Sequence, residues 1–232
     1  MKGYTPIMAG VAIMPQTFTV APASVAVGII VSKTGRFRWA LWGGWTLTVL
    51  GLGLMYLLDV HTPTVSWIFI DLVAGLGTGA LFPSLGFAIQ ASASNEDTAI
   101  AVAMFSFFRA LGQTFGIAIG GVIFQNSLKS QISKYPALVN LAGGYVKDAV
   151  ALVQVINRMP DGELKTQLAQ SYADALKNVW LAMCVFAAAG LFTSLWCQGL
   201  SLDRELVTEQ GLREKNGTKG SKRVADAELE KV

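Results

Sequence analysis

Five apolar stretches, at about residues 7–31, 39–58, 66–90, 100–124 and 178–199, each approach the roughly 20 residues that a helix needs to cross a bilayer. A chain so divided has little choice of fold. In hydrocarbon every backbone N–H and C=O must be satisfied within the segment, and helices of this length do that. The expectation is an all-α, polytopic membrane bundle of about five transmembrane helices. Composition agrees, because 53% of the residues are hydrophobic and only 14% are charged, too few to coat a soluble domain of 232 residues.

The connections orient the bundle. Lys33, Arg36 and Arg38 follow the first stretch with no acid among them, whereas Asp59 to Val65 contains neither lysine nor arginine. Cationic short loops face the cytoplasm, so the first connection is expected inside and the second outside. Alternation then places residues 125–176 outside as a long extracellular loop, with helical spacing at about 146–157 and 162–176. The tail 201–232 falls in the cytoplasm. From Asp203 it carries seven basic and seven acidic residues with few apolar ones, which predicts disorder. The expected domains are therefore a partial transporter membrane domain over 1–200 and a cytoplasmic tail. Five crossings leave the termini on opposite sides, and the bundle looks incomplete.

No enzyme constellation is present. The only histidine, His61, stands in a connection beside Asp59, and neither an acid/base pair nor a phosphate-binding glycine loop accompanies it. Cys184 and Cys197 lie thirteen positions apart on one helical stretch, too far for a disulfide, and read as packing residues. No cofactor or metal is expected. The net charge of +3 comes from scattered residues, which leaves no nucleic-acid footprint.

What remains are polar side chains inside apolar helices, which are costly unless they face a partner or a water-filled path. Arg109 shares a helical face with Gly112, Gln113, Gly116 and Gly120, so the one charge of that stretch lies on its smallest face, which is expected to point into the bundle. It is either a cation on a substrate path or a structural arginine bonded to a neighbouring helix. Asp71 shares a face with Gly75, Thr78, Phe82 and Gly86 and could bind a proton, since loss of water favours a neutral carboxyl. Gln16 follows Pro15, where its amide could compensate for the missing backbone donor or contact a ligand. The glycines at 75, 79, 112, 116 and 120 allow close helix approach.

The run Gly28, Ser32, Lys33, Gly35, Arg36 resembles the cytoplasmic signature loop of the major facilitator superfamily. Gly28, Gly35 and Arg36 match that pattern, Ser32 stands where the family has an acid, and Lys33 replaces its first arginine. The loop is similar to the weaker second copy between the eighth and ninth helices of the twelve-helix core. Gly3-Tyr4-Thr5-Pro6 with Ala9-Gly10, the Gly75/Gly77/Gly79 run ending in Leu81-Phe82-Pro83, and Phe108-Arg109 with Gly112/Gly116/Gly120 resemble the C-terminal part of the fungal fourteen-helix drug:proton antiporters. The resemblance implies a fragment of a proton-coupled efflux transporter for drugs, toxins or secondary metabolites, inactive without its missing N-terminal half. Its partners would be membrane lipid, a small amphipathic substrate, the proton and that missing half. Alternatives are a siderophore or nutrient carrier and a non-transporting membrane scaffold. The implied location is the plasma membrane, with a vacuolar or other internal membrane as the alternative.

Overall fold

The computed structural model describes residues 6–60, 62–94, 96–135, 138, 149–160, 162–197 and 199–200. The expected disordered tail at 201–232, and His61, lie outside them. Among the described residues there are helices and connections and no strand. They are α1 (Pro6–Thr34), α2 (Arg38–Met55), α3 (Thr64–Ser92), α4 (Thr98–Ile132), α5 (Ala149–Arg158) and α6 (Glu163–Ser194).

Four helices, α1, α3, α4 and α6, are long and apolar enough to cross a membrane. The fifth, α2, has 18 residues and spans about 27 Å. It lies antiparallel between α3 and α6. Trp42 donates its indole N–H to the Ser194 carbonyl (3.1 Å), and the Cys184 thiol faces the Val49 carbonyl (3.6 Å). Contacts run α3–α2–α6–α4, the α3–α4 side is the weakest, and α1 packs on α3. Large apolar side chains such as Phe18, Phe107, Phe115, Ile117 and Phe192 point away from the protein over much of each helix. Such a surface is stable against lipid and not against water.

Glycines set the closest approaches. A Cβ on Gly77 would lie 2.5 Å from the Thr48 nitrogen of α2, and one on Gly79 would lie 2.7 Å from the Val20 carbonyl oxygen of α1. Thus α3 turns alternate small faces to two different neighbours. Gly75 meets α1 at Gln16 and Thr19, and Gly51 of α2 abuts Ala74.

Two helices extend beyond the stretches that hydropathy delimits. The 35-residue α4 is about 52 Å long and the 32-residue α6 about 48 Å, against a hydrocarbon core of about 30 Å. The segment expected as loop between 125 and 176 therefore contains the end of α4, all of α5 and the first half of α6. Hydropathy locates where a helix leaves lipid; it does not locate where hydrogen bonding stops. At the end remote from the cationic loop, Phe124, Leu128 and Ile132 of α4 bury themselves against Leu138, Leu152, Ile156 and Leu168. This cluster is a conventional hydrophobic core, set apart from the exposed apolar surface of the spans. At its other end α6 stops at Ser194, short of the expected 199, where Leu195, Trp196 and Cys197 tighten into three-residue hydrogen-bond steps.

Candidate transport path and the cationic loop

The four polar residues singled out within the helices do not form a cluster. Arg109 is exposed, and its guanidinium lies 4.2 Å from the centre of the Phe82 ring, joining α4 to α3. Phe82 is ten residues from the Ser92 end of α3, and Arg109 is eleven from the Thr98 end of α4. Both are thus about 15 Å from the cationic-loop end of the bundle, near mid-bilayer.

The register fixes the other levels. Gln113 is one helical turn farther outward, about 6 Å. Gln16 is level with Gly75, whose added Cβ would sit 3.0 Å from the Gln16 carbonyl oxygen. Gly75 is seven residues outward of Phe82, about 10 Å, and Asp71 lies about 16 Å outward. The four make a stagger from the middle of the bundle toward the end remote from the cationic loop. A direct Asp71–Arg109 pair does not form. Among the described residues none of the four side chains makes a hydrogen bond or an ion pair. Arg109 takes an aromatic face as its neighbour, a contact worth about 0.5–2 kcal/mol depending on how dry it is.

The small face beside Arg109 is open. A Cβ on Gly112 or Gly116 would meet nothing within 4 Å, while one on Gly120 would touch Met183 of α6 at 3.4 Å. Gly75, Gly79 and Gly120 therefore pack helices in this chain. Among the described residues Gly112 and Gly116 meet no neighbour, because periodicity identifies a small face and not its partner.

At the opposite end, the cationic connection is a built turn. Gly35 has φ +63°, and its N–H donates to the Val31 carbonyl (2.9 Å), ending α1 in a left-handed cap. A side chain there would be strained, which accounts for the glycine. Phe37 is 1% exposed and packs with Val31, Ala40 and Ala91, pinning the turn under the helix ends. Ser32, Lys33 and Arg36 are exposed, and Gly28 makes ordinary contact with Pro83.

Sequence reasoning missed Ser24. Pro83 has no N–H, which frees the Gly79 carbonyl four residues back, and the Ser24 hydroxyl of α1 donates to that oxygen at 2.8 Å. The signal was legible in part, since a proline in a span requires a substitute donor; the donor's helix was not. At Pro15 the Thr19 hydroxyl donates to the proline's own carbonyl (2.6 Å), and Gln16 does not compensate. Among the described residues no three histidine, cysteine or carboxylate side chains converge as metal ligands.

No protein-family model and no solved structure matches the chain. Curated proteins do. MFS transporter L2 of a Phoma species is 51% identical over 230 residues, 99% of this chain and 38% of its own length. Efflux pump FUS6 of Gibberella moniliformis is 33% identical over 219 residues, 92% of this chain and 38% of its length. Efflux pump dotC of Dothistroma septosporum is 34% identical over 218 residues, 91% and 37%. The chain spans under two-fifths of the length of the curated relatives it matches. With a multi-pass helical bundle and a glycine-framed cationic loop beneath an alignment that covers nearly every residue, the chain belongs to the major facilitator superfamily.

Proposed function

We propose that this chain is the C-terminal part of a proton-coupled exporter of amphipathic drugs, toxins or secondary metabolites, and that it transports only when joined by the N-terminal half. The observation that carries this reading is the open face of α4, where Arg109, Gly112, Gln113 and Gly116 share one side and nothing in the described chain covers the two glycines. A charge on a bare face near mid-bilayer is expensive in lipid. Opposed by a second helical half, the same face lines a cavity, and the staggered amides and carboxylate form steps along it. Two halves that rock about such a cavity give alternating access. Asp71, nearest the outer end, is the proposed proton-binding group, and Arg109 the cation that receives partial negative charge of the substrate.

Co-expression tests this directly. The chain is produced in a drug-sensitive fungal host alone, and then together with the N-terminal portion of the Phoma relative. Efflux of a fluorescent amphipathic substrate is expected only from the pair. In the pair, Arg109→Leu lowers efflux roughly tenfold or more, the loss expected for a contact to a charged group. Arg109→Lys retains activity if charge, rather than the planar fork, is what counts. Efflux from the short chain by itself would falsify the proposal.

A further inference from the structure

Between the end of α1, the start of α2 and the residues after α6 lies a cavity of about 890 Å³. Lys33, Arg36 and Arg38 contribute its charge, Trp39 and Trp42 its aromatic wall, and Gly199 closes it. Among the described residues no carboxylate lines it and none of the three cations is ion-paired. Arg38 is held in place. Its guanidinium lies 4.6 Å from the centre of the Trp42 ring, and a Cβ on Gly199 would come within 2.9 Å of its Cδ. The Nε of Arg38 is buried with no hydrogen-bond partner, a state that favours an acceptor brought from outside the chain. The first turn of α2, uncapped by any side chain, adds partial positive charge at the same spot.

We infer that this pocket binds the phosphate-bearing headgroup of an anionic membrane lipid. Level decides between anions. The connection follows the end of α1, a helix long and apolar enough to cross a membrane, so its cations would lie where lipid phosphates lie, and Trp39, 47% exposed, has the amphipathic ring found at that interface. Size agrees, since the volume lies in the range of small-molecule sites and far exceeds what one phosphate ion fills. Two guanidinium forks and an ammonium suit a phosphodiester, with the forks able to bond two oxygens each. The buried Phe37, packed with Val31, Ala40 and Ala91, anchors the turn between Arg36 and Arg38, so the lipid would be held against a fixed loop.

The inference rests on the chain being membrane-embedded with this loop at the interface, and the test separates the two. The full chain is reconstituted in vesicles of equal phosphatidylcholine and phosphatidylglycerol, released into the gas phase, and its retained lipids are counted by native mass spectrometry. Phosphatidylglycerol is expected to be retained in preference. Arg36→Gln, at an exposed position, reduces that preference about fivefold, as does Arg38→Gln. Arg38→Lys loses most of it as well, because the fork is gone, while Lys129→Gln at the far end of α4 changes nothing. Unchanged helicity by circular dichroism shows that the variants fold. Equal retention of the two lipids, or equal loss from Lys129→Gln, overturns the inference. So does saturable binding of inorganic phosphate without any lipid preference. Trypsin cleavage after Lys33 or Arg36 from outside intact cells reports independently on the side the loop occupies.

Discussion

Pro83 shows how a single residue in a membrane helix places a demand on its neighbour. The carbonyl it frees on Gly79 lies against α1, and Gly79 itself lets Val20 and Ala23 of that helix approach so closely that the Ser24 hydroxyl reaches the oxygen. Measured interhelical hydrogen bonds in membranes average about 0.6 kcal/mol and reach about 1.7. Ser24→Ala should therefore lower stability by roughly 1 kcal/mol in denaturant titration of the micellar protein. Ser24→Thr, which keeps the hydroxyl, should lose less. A neutral Ser24→Ala would mean that Gly79 finds another donor. Arg109 poses the opposite case. Its charge is legible in the sequence as a functional candidate, yet its neighbour, the Phe82 ring, is not, because an aromatic about one turn from a helix centre carries no mark of what will lie on it.

At the scale of the helices, hydropathy was enough to expect an all-α membrane bundle, and four of its helices are long and apolar enough to cross a membrane; glycine spacing marked several small faces alike. Neither distinguished the glycines that close on a neighbour from those that stay open. Gly77 and Gly112 both read as packing residues; only the first has backbone within 3 Å of where its Cβ would be. The outer extension was also illegible, since residues 163–176, rich in alanine, glutamine and leucine, suit a separate loop helix as well as the upper half of α6. Their burial identifies which. Leu128 is fully buried in the cluster with Phe124 and Ile132, so Leu128→Ala should cost about 2–5 kcal/mol, the usual loss for a large-to-small change in a packed core. Limited proteolysis of the segment around α5 should accelerate in that variant while the apolar spans stay protected. Equal cleavage rates would mean that the cluster contributes nothing to holding the outer segment.

On the scale of the whole molecule, the bundle has one closed side and one open side. Gly77 and Gly51 draw α2 and α3 together, Trp42 and Trp45 seat α2 on α6, and the α3–α4 edge is bridged by Arg109 and Phe82. The chain by itself should therefore self-associate or aggregate in mild detergent. Supplying the N-terminal portion of a relative should convert it to a defined one-to-one complex by light scattering. A monodisperse monomer of the chain alone would argue that its open face needs no cover. The family was legible from the cationic turn and the order of the glycine motifs. The level of each polar residue was not, because relative depth depends on which turns of adjacent helices meet, and that is a property of pairs.

The cluster remote from the cationic loop carries a mechanical implication. Phe124 of α4, Leu168 and Ala175 of α6, and Val60 from the α2–α3 connection share one apolar mass. Asp59 is tied to α6 through Gln170 at 3.1 Å and Lys177 at 3.7 Å. The ion pair is partly exposed and contributes little by itself; the buried side chains supply the grip. Four of the five rods are thereby knotted at one extremity, like staves under a hoop. Leverage applied to any one of them is handed to the others, so a large swing must pivot at the rim of this assembly, where it faces whatever lies across from it.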